Sequence, residues 1–423
     1  MRGLFPYIFS IAHVVTCPGE LVDVATTTRF SDVQPPWLMG PSGSRIVLME
    51  QIHKGTETVL YTASVEGKSS GGVVVKFGTD CRERTLGGLE FNDNEPTRAM
   101  MEVEIFQLVS PHGISPELMY ASEPMQIDQG FKKTSSLTFG RFMEENMDRC
   151  IGLGSQLIYT VQERVGPSLS KWLSKLQTEN WDFWASTAFS RQNLIAARKA
   201  FLLLEKLHQL GFAHGDIHYG NIAFRRNDIS DISMITDLEN EELVLIDFEM
   251  SRRYANTPTD KSEETFKSYG WLNDWNLSIW QLQGYHYGPR DDVYRLLFHT
   301  GNAASKYRYS SGYKVLKDMN LKAFNSPKAP SPAYSRIAFD TSHYIKTNAP
   351  LFKYSYIVAS VFICGDDDLV SPEIQAEILN SLEELHVHMK ETYSDPGISV
   401  DIFHVVSELD RVLSLIPLAV LVG

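Results

Sequence analysis

His214, Asp216, His218 and Asn221 fall in one short run, His214-Gly215-Asp216-Ile217-His218-Tyr219-Gly220-Asn221. A second acidic group follows in Leu245-Ile246-Asp247-Phe248-Glu249, behind a short apolar stretch that reads as a strand. An aspartate with an asparagine five residues on, then a second aspartate after such a strand, is the arrangement phosphoryl transfer needs. Asp216 would orient or deprotonate an attacking hydroxyl. The Asn221 amide oxygen and the Asp247 carboxylate would supply hard oxygen ligands for Mg²⁺. Either piece alone is also an ordinary turn; the two together in this order are a strong signal.

A nucleotide also needs a cation for its phosphates. Lys76 sits in Val73-Val74-Val75-Lys76-Phe77, a strand otherwise wholly apolar, where an unpaired ammonium is expensive to bury. Glu102 lies on the following helix, Arg98–Val109, and can neutralise Lys76 and aim it at the α- and β-phosphates. A charge held in this way is the usual mark of a functional cleft.

The positioning elements follow from periodicity and turn chemistry. Ile46–Gln51 and Val59–Ala63 read as a hairpin around Gly55. Met125–Gly154 is polar, rich in Gly and Ser, and reads as an inserted loop. Leu157–Val165 restores a strand, with Gly166-Pro167 as a turn, and Ala196–Leu210 is an amphipathic helix closed by Gly211. Ser371-Pro372-Glu373 has the chemistry of a helix start. Strands first and helices later suggest two lobes.

Taken together, these residues resemble the eukaryotic protein kinases, and within them the casein kinase I and vaccinia-related kinase group. Residues 52–63 are similar to the loop that covers the nucleotide, with Gly55 against it, and Val75-Lys76 to the third-strand lysine motif. Glu163 and Val165, in Gln162-Glu163-Arg164-Val165-Gly166-Pro167-Ser168-Leu169, resemble the hinge that meets the adenine edge. His214-Gly215-Asp216 is what vaccinia-related kinases carry. Arg290-Asp291-Asp292 resembles the start of a helix whose buried carboxylate, here Asp292, holds the catalytic loop. The aminoglycoside and choline kinase group shares the His-Gly-Asp loop and Asp-Phe-Glu but not the Gly-Pro-Ser-Leu hinge.

The resemblance implies an α+β, two-lobed protein kinase fold over residues 45–397. Its N-lobe would span 45–165 with an inserted loop at about 122–155, and its C-lobe 166–397. Residues 1–19 then read as a signal peptide, 20–44 as an extension and 398–423 as a C-terminal tail. It also implies ATP and Mg²⁺ as cofactors and Ser or Thr of a protein substrate as acceptor.

Three departures bear on catalysis. His53 and Thr58 replace glycines of the covering loop, where glycine lets backbone approach phosphate. His218 stands where the family has a lysine that contacts the transferred phosphate, and Glu249 replaces the glycine of Asp-Phe-Gly. The alternative function is therefore a secreted pseudokinase that binds nucleotide or acts as a scaffold for a protein partner. Gly215, not arginine, precedes Asp216, so nothing there would grip a phosphate on the Arg252–Lys267 segment.

The whole chain sets the remaining bounds. It has 423 residues, 43% hydrophobic and 22% charged, an ordinary globular composition. Its formal charge of −13 argues against nucleic acid as a partner. Arg2, the apolar run Leu4–Val15 and the small residues after it have the order of a secretory leader. That run is too short to span a bilayer. Cys81, Cys150 and Cys364 would remain after its removal, an odd set without metal-ligand spacing. A protein partner or substrate is expected, of identity and stoichiometry the residues do not specify.

Overall fold

Strands β1 (Ile46–Lys54) and β2 (Thr58–Val65) form the expected hairpin, paired antiparallel up to Lys54 opposite Val59. β3 (Val73–Asp80) continues the sheet beside β2. The structure, a computed structural model, describes residues 38, 40–54, 58–66, 72–80, 98–126, 156–180, 183, 187–229, 231–254, 288–305, 371, 373–374, 377, 381 and 401–416. The leader, Gly55, the four cysteines and most of the inserted loop and the Arg252–Lys267 segment lie outside the described residues.

After β3 comes α1 (Arg98–Val109), with the bounds its periodicity predicts. β4 (Leu118–Ala121), β5 (Met125–Gln126) and β6 (Gln156–Glu163) complete an antiparallel sheet of order β1-β2-β3-β6-β4, with β5 also paired to β6. Side chains alternate across a strand. On β3, Val73, Val75 and Phe77 therefore enter one apolar cluster with Ile46, Val59, Tyr61, Leu157 and Tyr159. Lys76 falls on the opposite face.

Helices dominate the rest of the chain. α2 (Leu169–Glu179) starts at Ser168, whose Oγ accepts from the Lys171 N–H at 3.4 Å. α3 (Thr187–Gln209) is the central helix and ends at Gly211, whose φ of +84° suits only a residue without Cβ. It begins nine residues before the amphipathic stretch the sequence marks, since the pattern is broken by Ser190, Gln192 and Asn193. All three are buried, and two of them answer groups elsewhere in the core: Gln192 Oε1 accepts from Leu238 N at 2.6 Å, and Asn193 Oδ1 from the Tyr219 hydroxyl at 2.9 Å.

Short strands β7 (Phe212–Ala213), β8 (Ile222–Phe224), β9 (Leu243–Leu245) and β10 (Arg252–Arg253) follow α3; β7 pairs with β10 and β8 with β9. α4 (Pro289–Ser305) and α5 (Ile402–Leu415) pack on α3. α5 lies in the segment the sequence reading set aside as a tail. Val405, Leu409 and Val412 bury in the same core as Ala200, Phe201 and Leu204, so the packed unit extends to Ile416. At the earlier helix start, Ser371 Oγ accepts from Ile374 N at 3.4 Å. An antiparallel sheet joined to a helical body makes the chain α+β. No helix of the described residues is long and apolar enough to cross a membrane.

Candidate functional site

On α1, Glu102, Ile105, Phe106 and Val109 share one buried face at helical spacing. A carboxylate on such a face needs a partner. Lys76 supplies it: Nζ donates to Glu102 Oε1 at 2.6 Å and to Asp247 Oδ1 at 3.1 Å. Burial alone would lower the Lys76 pKa, but Glu102, Asp247 and Glu249 outweigh it and hold the ammonium well above its ordinary value. Lys76 in turn pulls the Asp247 carboxyl below the usual range. Burial pushes Glu102 up, against the pull of the same lysine.

Asp247 follows β9 with φ of +64°, a left-handed conformation that aspartate tolerates better than most residues. That turn sends Phe248 inward. Its ring meets Phe106 of α1 edge-on, with centroids 5.5 Å apart, and His214 at 5.3 Å. Phe248 thus joins the helix that carries Glu102 to the loop that carries Asp216.

The loop from His214 to Asn221 is fixed residue by residue. Asp292 of α4, fully buried, accepts from the His214 N–H at 2.7 Å and the Gly215 N–H at 3.1 Å, with His208 Nε2 at 3.0 Å. This is the supporting carboxylate that the sequence resemblance implies. The His214 Nε2–H donates to Ile246 O at 3.2 Å, which ties the loop to the strand leading into Asp247. Burial lowers the His214 pKa, against the pull of Asp292, Asp216 and Asp247. Gly215 has φ of +83°, and a Cβ built there would lie 2.0 Å from Met250 O. Gly215→Ala should cost about 2–5 kcal/mol, from left-handed strain plus the clash, read as a lower urea midpoint at unchanged slope. A midpoint within error of wild type would mean that the loop relaxes freely.

Asn221 Nδ2 donates to the Asp216 backbone O at 2.9 Å and approaches Oδ2 at 3.4 Å. That fixes the amide orientation and leaves its carbonyl oxygen as an acceptor. Burial would raise the Asp216 pKa, but His218, Arg295 and His214 outweigh it and hold the carboxyl below its ordinary range. His218 does not stand free like a flexible lysine. Its Nδ1 accepts from the Gly220 N–H at 2.9 Å, and its Nε2 lies 3.5 Å from Asp216 Oδ2. The ring caps the turn Tyr219–Asn221 and faces the aspartate.

At the end of β6, the Glu163 carboxylate accepts from Glu117 N at 3.0 Å and from Arg225 Nη1 at 2.8 Å. The N–H groups of Glu163, Arg164 and Gly166 donate to Glu117, Gly72 and Phe224. Among the described residues the Val165 amide has no such partner. Arg225, just beyond β8, also bonds Glu242 Oε1 at 2.7 Å, Gly113 O at 3.1 Å and Ser115 O at 3.2 Å.

The structure therefore groups Lys76, Glu102 and Asp247 through the lysine's bonds, and Asp216, His218 and Asn221 within one loop. Gly55 is outside the described residues. Sequence reasoning passed over Arg225, Arg295 and His299. Arg295 is one helical turn beyond Asp292, a spacing that could have marked it; nothing in the sequence marks Arg225.

The ABC1 atypical kinase-like domain family matches residues 169–276, the stretch from α2 through the His214 loop and Asp247. Over those residues the chain is protein-kinase-like. The match supports kinase-like ATP binding and the superfamily at large, without selecting the casein kinase I and vaccinia-related group within it. No curated protein matches the chain.

Proposed function

We propose that this kinase-like chain binds Mg·ATP between its sheet and its helical body, as a two-lobed kinase does. It would transfer the γ-phosphoryl group to Ser or Thr hydroxyls of a protein substrate. The observation that carries the reading is Lys76 bonded at once to Glu102 and Asp247, residues 26 and 171 positions away in sequence. The Gly166-Pro167-Ser168-Leu169 hinge favours the casein kinase I and vaccinia-related group as nearest in kind. The leader-like residues 1–19 favour delivery through the secretory route.

The donor set fits Mg²⁺. Asp247 presents a carboxylate, and the Asn221 carbonyl oxygen is left to accept by the bonds of its own amide. When bound, the ion would neutralise charge on the nucleotide's phosphates. Lys76 would meet the α- and β-phosphates, and the Val165 backbone the adenine edge. Asp216 would take the proton of the acceptor hydroxyl, whose oxygen attacks the γ-phosphorus as its bond to the β-phosphate oxygen breaks and ADP leaves. Positioning of this kind accounts for most of such catalysis.

Thermal melting of the full chain with ATP, with and without Mg²⁺, tests the binding half. A rise in melting temperature at millimolar Mg·ATP, absent in Lys76→Met, is expected. No rise in wild type would overturn it. A rise that survives chelator and Asp247→Asn would point instead to the pseudokinase reading, which the His218 contact to Asp216 also favours.

A further inference from the structure

α4 presents one face to the whole catalytic loop. Asp292 and Arg295 are one turn apart and His299 lies one turn further, the spacing that puts side chains on one side of a helix. Asp292 takes the N–H groups of His214 and Gly215. Arg295 Nη1 donates to the Gly215 carbonyl and stands 3.8 Å from Asp216 Oδ1. The His299 ring lies 5.6 Å from that of His218, and Thr300 Oγ1 lies 3.2 Å from the Tyr219 hydroxyl oxygen.

Arg295 is the unusual member. Its side chain is 2% exposed, and a buried guanidinium is costly to take out of water. An apolar side chain would hold helix to loop at lower cost. The cation is placed where it meets the one loop carbonyl next to Asp216 and the aspartate's own Oδ1. Residue 215 cannot supply such a group, since its φ and the Met250 carbonyl admit only glycine.

We propose that Arg295 is a positioning residue for phosphoryl transfer: from beneath the loop, its guanidinium fixes the Gly215–Asp216 peptide and the Asp216 carboxylate in the orientation that receives the acceptor hydroxyl. The proposal rests on the phosphotransfer reading above. It assigns the chemistry to Asp216 and its geometry to α4. Arg295 touches neither nucleotide nor acceptor, so its loss should act on turnover and not on nucleotide affinity.

The test uses the full chain with radiolabelled Mg·ATP and a generic acidic protein, comparing wild type, Arg295→Met and Arg295→Lys. Each is also scored for melting temperature and for KM for ATP. Arg295→Met should lower kcat by about 10–100-fold, the range for a misplaced catalytic group, with KM for ATP within about twofold of wild type. Arg295→Lys keeps the charge and one donor and should hold kcat within about fivefold of wild type. Arg295→Met at wild-type rate would overturn the proposal, as would Arg295→Lys no better than Arg295→Met. If Arg295→Met does not fold, Arg295→Lys decides: a kcat more than about tenfold down at wild-type melting temperature overturns it. Wild type that binds Mg·ATP but labels no protein would overturn the phosphotransfer reading itself, and the role of Arg295 with it.

Discussion

Asp216→Asn is expected to lower phosphoryl transfer by about 10²–10⁴-fold, the range for a positioned acid–base group, with Mg·ATP binding unchanged. The separation follows from where the residue sits. Asp216 is not hydrogen-bonded to Lys76, which ties Glu102 and Asp247 into the cluster that would meet the nucleotide. Asn221 is held mainly by the Asp216 backbone oxygen, which the substitution keeps. The amide can still accept from His218 Nε2 but no longer offers a charge to the acceptor hydroxyl. Radiolabel incorporation checks the rate and thermal melting the binding. Equal incorporation in wild type and Asp216→Asn would leave a nucleotide-binding scaffold.

The second large effect is on stability. Lys76→Met should cost about 3–5 kcal/mol, because it leaves the buried Glu102 without its counter-charge. Asp247 is more open to water and would lose less. The double substitution Lys76→Met with Glu102→Leu should recover most of that loss, since an apolar pair avoids desolvating two charges. Neither variant should shift with Mg·ATP. Urea unfolding of the three proteins reads the ordering. Were the double variant no more stable than Lys76→Met alone, the pair would contribute through packing and not through charge.

Much of this was legible in the residues, for reasons that differ from place to place. The hairpin, β3 and α1 follow from alternation and periodicity, which local geometry dictates. Asp292 was legible from a motif resemblance, and its contacts to the loop N–H groups agree. The start of α3 was not, because Gln192 and Asn193 look like surface residues until Leu238 and Tyr219 are seen beside them. α5 was read as a tail because its partners lie on α3, about two hundred residues earlier. His218 was placed on the transferred phosphate by analogy with lysine. Its bond from Gly220 N is a local turn effect that analogy does not contain. Group membership within the kinases rests on a few hinge residues, and the ABC1 match does not reach that level.

Arg225 has a consequence for how the protein opens. One guanidinium bonds the carbonyls of Gly113 and Ser115 after α1, the Glu163 carboxylate at the end of β6, and Glu242 before β9. Leu245 N–H adds a second tie, to Ile114 O at 2.8 Å. Segments so joined are expected to open together, because releasing one of them costs the shared guanidinium a partner. Their amides should exchange with solvent as a single cooperative unit, at one shared opening free energy. Local opening at the end of β6 is then expected to require release of the segment after α1 and of Glu242 as well, all-or-none instead of gradual.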